Sequence, residues 1–107
     1  MDKLCTIYVT VPSKKDGVKI GRMLIRKKLA ACVNIFDGMT SIYKWKDKIC
    51  EDKESVMFIK TRHALFNKVR DAVRSVHPYE CPCIVELPLV NADDPYKQWV
   101  IGSTKKT

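Results

Sequence analysis

The apolar residues follow two different patterns in successive segments of this chain. In some segments they are consecutive, and in others they recur every three or four positions. Residues 4–11 are apolar or β-branched apart from Cys5 and Tyr8, which is typical of a strand that is covered on its faces. Helical spacing begins at Pro12-Ser13 and continues to about residue 29, and it returns over residues 64–76. The chain therefore begins with a strand and a helix, and a second helix follows later.

The centre of the chain predicts two long strands. Residues 32–45 form the first, with Asp37-Gly38 inside it as a bend or bulge, because the strand pattern resumes at once. The polar turn Lys46-Asp47-Lys48 leads to a second strand over residues 49–60. Together the two strands form a hairpin, and each is longer than the ~5–6 residues of a common strand. A hairpin edge of this length needs a partner strand or surface.

The last part of the chain predicts a short strand over residues 84–90 and a C-terminal helix over residues 94–101. The order of the core elements is β-α-β-β-α-β. We therefore predict an α+β, ferredoxin-like sandwich with an added C-terminal helix, forming one domain over residues 1–107.

The net charge of +8 raises the question of a nucleic-acid partner. Many of the cations fall in the first predicted helix. Lys19, Arg22 and Arg26 share one face there, opposite Ile20, Leu24 and Ile25. No aromatic residues that could stack on bases are interleaved with them, so we predict a solvated helix face and no specific nucleic-acid binding.

The N-terminal sequence lacks the pattern of a secretory leader, and no run approaches the ~18 apolar residues of a membrane span. We therefore expect a cytoplasmic protein with no membrane association. The chain has five cysteines, an odd number, at positions 5, 32, 50, 81 and 83. In a reducing compartment we expect them to be free thiols or metal ligands.

The segment from His77 to Cys83 is the strongest candidate for a functional site. It places an imidazole, a phenol, a carboxylate and two thiols within seven residues at a joint between helix and strand. A purely structural interpretation would have Pro78 end the helix and Pro82 keep the next strand from a neighbour. That interpretation explains the prolines but not Tyr79 or Glu80.

Several separate blocks resemble the CutA family, which is named for divalent-cation tolerance. These blocks occupy residues 29–35, 41–45, 51–54, 59–61, 77–80 and 96–99. They occur in the family's order and spacing over nearly the whole chain. The resemblance implies a small cytosolic homotrimer, built like the PII signal proteins, with clefts between subunits. It further implies tolerance to copper and other divalent metals, and no enzymatic reaction.

The resemblance and the residues together suggest metal ligands. Cys32 and His77 match the family's cysteine and histidine, whereas cysteine is not typical of the family at Cys81 or Cys83. In an extended chain these last two thiols share a face and could chelate Cu(I) or Zn(II). We predict copper as the candidate cofactor, with His77, Cys81, Cys83 and Cys32 as candidate ligands. Cys5 and Cys50 are expected to be small buried or half-buried residues.

A signalling module with a ligand in the inter-subunit cleft is the alternative function. Its candidate residues are Cys32, Trp45, Lys60, His77, Tyr79 and Glu80. For an anionic or aromatic ligand, Lys60 would supply charge, Trp45 and Tyr79 stacking, and His77 and Glu80 hydrogen bonds. Other interpretations remain: Lys60 as a solvated strand end, and Trp45 as a residue buried at the trimer contact. An enzyme would need Cys32 and His77 to converge.

Overall fold

The computed structural model describes residues 3–106. Its elements are β1 (Leu4–Val11), α1 (Lys14–Arg26), β2 (Cys32–Trp45), β3 (Lys48–Arg62), α2 (Phe66–Val76), β4 (Ile84–Pro88) and α3 (Asp94–Ser103). A 3₁₀ turn, His63–Leu65, leads into α2. The predicted order of elements is confirmed. Boundaries differ slightly: β3 extends beyond the predicted 49–60 at both ends, and β4 ends two residues before position 90.

The strands form one antiparallel sheet in the order β2-β3-β1-β4. This is the predicted ferredoxin-like α+β arrangement. Helices α1 and α2 cover one face, which we call the helix face, and the other is the open face. Alternate residues of the central strands, such as Ile7 and Val9 of β1 and Met57 and Ile59 of β3, are fully buried on the helix face. Burial of each such side chain stabilises the fold by roughly 1.5–3 kcal/mol.

Helix α1 begins at a side-chain cap and ends in a left-handed residue. Ser13 Oγ accepts a hydrogen bond from Asp16 N at 3.2 Å, which satisfies one of the free amides of the first turn. The helix ends at Arg26, so the predicted end near residue 29 is wrong. Lys28 has a φ of +58°, which a helix cannot continue, and Leu29 N donates to Leu24 O instead.

The apolar face of α1 is narrower than the sequence predicts. Ile20 and Leu24 are buried in the core, whereas Ile25 is 42% exposed.

No helix in residues 3–106 is long and apolar enough to cross a membrane.

The predicted bulge in the first long strand is confirmed. Phe36 pairs with Val56 and Met39 pairs with Glu54, so β2 carries one residue more than β3 over this interval. Gly38 takes the left-handed conformation, with a φ of +77°. The extra residue reverses the alternation of β2, so that the side chains of odd-numbered residues after the bulge lie on the open face.

The two arms join in a two-residue turn and project beyond the body of the domain. Lys46 and Asp47 both have positive φ values, 49° and 65°, as expected for the tight turn whose twist matches a hairpin. The molecule is 44 Å long but only 25 Å across its next dimension. The outer half of the hairpin therefore has few neighbours within its own chain.

Candidate functional site

A groove of about 790 Å³ lies on the open face, between the outer hairpin and the loop before β4. We call it the hairpin groove. The hairpin contributes Tyr43, Trp45, Asp52 and Glu54 to its lining. The loop contributes Tyr79, Glu80, Cys81 and Cys83. The cluster predicted at residues 77–83 thus faces Tyr43 and the predicted ligand-binding residue Trp45.

The bulge explains why the hairpin can form one wall. Tyr43 pairs with Cys50 and Trp45 with Lys48, on the same face as Glu54. Without the extra residue at Asp37-Gly38, the alternation of β2 would turn both aromatic side chains to the opposite face. A local irregularity in the backbone therefore determines the composition of the groove.

Two tyrosine–carboxylate hydrogen bonds organise the groove. Tyr79 Oη donates to Glu54 Oε2 at 2.7 Å, and Tyr43 Oη donates to Asp52 Oδ2. Burial raises the pKa of Tyr79 well above its ordinary value, and the bond to Glu54 raises it further. The bond to Asp52 raises the pKa of Tyr43 to about 12. Both phenols therefore remain protonated donors at neutral pH.

Glu54 is an unusual carboxylate because it is only 9% exposed. Within the part of the chain that the structure describes, its side chain receives the Tyr79 hydroxyl and forms no ion pair with a lysine, arginine or histidine. Burial raises the pKa of the Cys83 thiol, and the nearby Glu54 carboxylate and Cys81 thiol raise it further. The groove thus has excess negative charge in a chain whose net charge is +8.

His77 lies behind the loop rather than in the groove. It is 9% exposed, Nε2 lies 2.8 Å from the Thr10 carbonyl oxygen, and Nδ1 accepts from Tyr79 N at 3.1 Å. Because Nδ1 is an acceptor, the proton belongs on Nε2, which donates to Thr10. The predicted ligand His77 therefore has no free lone pair for a metal while these bonds persist. Its geometry is that of a residue that positions Tyr79.

Cys32 and Lys60 are remote from the groove. They are paired across β2 and β3, and Lys60 lies six residues from Glu54, which corresponds to about 20 Å along a strand. Thr10, the partner of His77, pairs with Val56, roughly 13 Å along the strand from Lys60. Cys32 and His77 therefore do not converge as a nucleophile and base, and Lys60 supplies no charge to the groove.

The predicted metal ligands do not form a ready three-ligand site. Over residues 3–106, no three His, Cys, Asp or Glu side chains are grouped so as to hold a metal ion. Cys81 and Cys83 are exposed, and both line the groove. Cys5 is buried and Cys50 is half-buried, as predicted.

Sequence reasoning missed Tyr43, Asp52 and Glu54, which line the groove and take part in its tyrosine–carboxylate hydrogen bonds. Asp52 and Glu54 occupy alternate positions in the acidic block of β3, so the strand period places both carboxylates on one face. Tyr43, the hydrogen-bond partner of Asp52, lies in the 41–45 block of the family resemblance but was not predicted as a site residue. The alternation of Asp52 and Glu54 in β3 was a usable signal. That the loop before β4 lies opposite them could not be predicted without the order of the strands in the sheet.

The comparisons with known proteins are consistent with this fold. The sequence matches the family described as "CutA1 divalent ion tolerance protein" over residues 5–103. The chain belongs to the CutA1 family. The family resemblance noted in the sequence is thereby confirmed.

Relatives in the CutA1 family come from distant organisms. Protein CutA of Homo sapiens is 48% identical over 93 residues, which cover 87% of this chain and 52% of that protein. Divalent-cation tolerance protein CutA of Thermus thermophilus is 39% identical over 98 residues, covering 92% and 95% of the respective chains. This chain therefore spans about half the length of the human relative.

The crystal structure of CutA1 from Oryza sativa superposes with a TM-score of 0.95 at 36% identity, covering 98% of this chain and 96% of the other. The fold of this chain is thus shared with a solved structure of the family.

Proposed function

We propose that this protein is a non-enzymatic, trimeric metal-tolerance protein that binds copper through Cys81 and Cys83. The observation that supports the proposal most is the position of these two thiols. They belong to one loop, both are accessible, and both line the same groove. Family membership supports a role in divalent-cation tolerance.

The chemistry of the pair favours a soft metal ion. Thiolates prefer Cu(I), and copper is in this state in a reducing compartment. Pro82 stands between the two cysteines and limits the conformations that the loop loses when both bind one ion. Since the described residues provide no third ligand, the proposed site is a two-thiolate site for Cu(I).

Assembly as a trimer is supported by the open face of the sheet. Phe36 is 61% exposed and Leu87 is 48% exposed, although a half-solvated antiparallel sheet ordinarily carries polar residues on its outer face. Phe58 packs edge-on against both Tyr8 and Phe36, which extends this apolar surface across three strands. Burial of the open face against further copies would also give the long hairpin its neighbours.

A cytoplasmic location is part of the proposal because five unpaired thiols suit a reducing compartment. A non-enzymatic role is supported by the separation of Cys32 from His77, the two residues that could have formed a catalytic pair. The exposed cations Lys19, Arg22 and Arg26 on α1 have no interleaved aromatic residues, which supports the absence of specific nucleic-acid binding.

Copper titration under anaerobic, reducing conditions tests the metal site. We expect the parent protein to bind Cu(I), and the Cys81→Ser/Cys83→Ser variant to lose that binding. Matched variants Cys32→Ser and His77→Ala should bind as the parent does, provided that their oligomeric mass is unchanged. Parent-like binding by the double variant would refute the site.

A signalling module that binds a small ligand in the groove is the second candidate. The groove favours it because aromatic residues and hydrogen-bonding groups line a cavity of ligand size. Asp52 and Glu54 oppose the predicted anionic ligand, and Lys60 is not there to attract it. The negative charge of the groove therefore favours a cationic ligand over an anionic one.

A further inference from the structure

We propose that a cavity between α1 and β2 binds a small amphiphilic anion, that is, an organic molecule with an apolar body and a carboxylate or phosphate head. We call this cavity the α1 hollow. The guanidinium groups of Arg22 and Arg26 would bind the head, and the side chains of Ile25, Val33 and Ile35 would contact the body. The inference goes beyond metal tolerance and does not depend on copper binding, because none of the proposed copper ligands lines this cavity.

The α1 hollow lies on the helix face of the sheet. Its strand residue Ile35 pairs with Met57, which is fully buried on that face. Val33 pairs with Ile59, which is buried there too. The trimer contact described above buries the open face, on the other side of the sheet. In that assembly the hollow therefore stays open to solvent.

Two features of the fold leave this space unfilled. Gly21 has no side chain, and a Cβ atom there would lie 3.3 Å from Val33 Cγ1, so α1 lies close to the strand without filling the gap beside it. β2 is the edge strand of the sheet, and Val33 and Ile35 remain only half-buried under α1. Ile25 is 42% exposed. The apolar surface that α1 leaves uncovered is thus gathered in one cavity of about 430 Å³.

The charge of the hollow determines the sign of its ligand. Arg22 and Arg26 lie one helical turn apart, and both line the cavity. Within the described part of the chain neither guanidinium forms a hydrogen bond or an ion pair, and no acidic side chain lines the hollow. By contrast, Arg70 on α2 donates to Asp71 and Asn67. The free pair therefore favours an anionic group, which arginine can bind through two parallel hydrogen bonds.

The ligand needs an apolar body as well as a charge. Inorganic phosphate would meet only exposed guanidinium groups, where water and salt screen the attraction. A neutral apolar molecule would leave both cations without a partner. The volume of about 430 Å³ lies within the range of small-molecule sites. Among the described residues no aromatic side chain lines the hollow, so a stacked nucleic-acid base is not the expected ligand.

A matched pair of fluorescent dyes tests the inference on the intact oligomer. Anilinonaphthalenesulfonate and N-phenylnaphthylamine share an aromatic body, and only the first carries a charge. We expect saturable binding of the sulfonate, and binding of the neutral amine weaker by at least about tenfold. Octanoate or octyl phosphate should displace the bound sulfonate, and the more effective of the two identifies the preferred head. Octanol and inorganic phosphate at the same concentration should not displace it.

Variants assign the binding to the α1 hollow. Arg22→Gln/Arg26→Gln should weaken binding of the sulfonate by at least about tenfold. Arg70→Gln/Arg74→Gln is the matched control, because this pair has the same spacing on α2, removes the same charge and lies outside the lining. Ile25→Ala shortens a half-exposed apolar side chain and should weaken binding by about threefold.

Four results would overturn the proposal: no saturable response to the sulfonate, equal binding of the neutral amine, no displacement by either octanoate or octyl phosphate, or equal effects of the two double arginine substitutions. The Cys81→Ser/Cys83→Ser variant should keep the dye response. The outcome of the copper titration therefore leaves this test unaffected.

Discussion

Tyr79 and Glu54 are separated by 25 residues in sequence, and the Tyr79 hydroxyl donates a 2.7 Å hydrogen bond to the Glu54 carboxylate. This bond joins the loop before β4 to the outer hairpin, and both of its residues line the hairpin groove. It is also the contact that makes a buried carboxylate tolerable. The groove therefore depends on a long-range polar contact between two otherwise separate segments.

Replacing Tyr79 by phenylalanine should leave the buried Glu54 carboxylate without its donor. We expect the free energy of unfolding to fall by about 1–3 kcal/mol, the usual consequence of an unsatisfied buried polar group. Urea denaturation at neutral pH measures the change. Tyr96→Phe is the control, because the Tyr96 hydroxyl makes no hydrogen bond with the described residues. Equal stability of the Tyr79→Phe variant and the parent would contradict the role assigned to this bond.

His77→Ala should destabilise the protein without removing copper. The substitution leaves the Thr10 carbonyl and the Tyr79 amide without their partner, so we expect a loss of about 2 kcal/mol or more. His63→Ala is matched to it, because His63 is a surface residue whose contact with Glu86 should contribute less than about 1 kcal/mol. Denaturation of both variants measures the loss of stability, and copper titration measures whether metal binding is retained. Loss of copper from a stable His77→Ala variant would restore the imidazole as a ligand.

The two glycines Gly38 and Gly102 should respond to alanine with opposite signs. Neither position has an atom within 4 Å of an added Cβ, so steric contact does not distinguish them. Gly38 has a φ of +77°, and alanine there should cost about 1–2 kcal/mol. Gly102 lies in α3, where alanine should stabilise the helix by up to about 1 kcal/mol. Thermal unfolding of the pair measures both, and a stabilised Gly38→Ala variant would argue against the bulge.

Asp52→Asn should lower the pKa of Tyr43 from about 12 toward its ordinary value of 10.0. Because the pKa is higher in the folded than in the unfolded protein, the protonated phenol contributes stability below pH 10. That contribution is lost as the pH rises from about 10 to about 12. The tyrosine Cζ resonances, assigned with a Tyr43→Phe variant, allow the titration to be followed by NMR. An unchanged Tyr43 titration would show that Asp52 is not its partner in solution.

The open face should hold the trimer together. Light scattering at low micromolar concentration is expected to give about three times the chain mass of 12.3 kDa. Phe36→Glu should reduce this mass, because it buries a charge in the proposed contact. Val76→Glu, on α2 across the sheet, is the control and should leave the mass unchanged. A parent mass near 12.3 kDa would refute the assembly.

The locally encoded features of the fold were predictable from the amino-acid sequence. Ser13 and Asp16 mark the start of α1 because a cap needs only its neighbours, and the continuous apolar and β-branched run of β1 specifies a strand covered on its faces. Asp37-Gly38 predicted the bulge for the same reason. The end of α1 was less predictable, since Lys28 takes a left-handed conformation that its residue type does not favour.

The composition of the site was decided by contacts between distant segments. The side chains of residues 77–83 predicted a functional site. Which residues lie near them in space depends on the pairing of β1 with β3 and on the shift of register at the bulge. In the folded chain His77 bonds to Thr10 and holds the amide of Tyr79. Cys32 and Lys60 lie far from the groove, whereas Asp52 and Glu54 line it. Hydrogen bonds and charges act over a few ångströms, so a residue's chemical role follows from its spatial neighbours. The sequence lists the reactive groups, and the register of the sheet determines which of them meet.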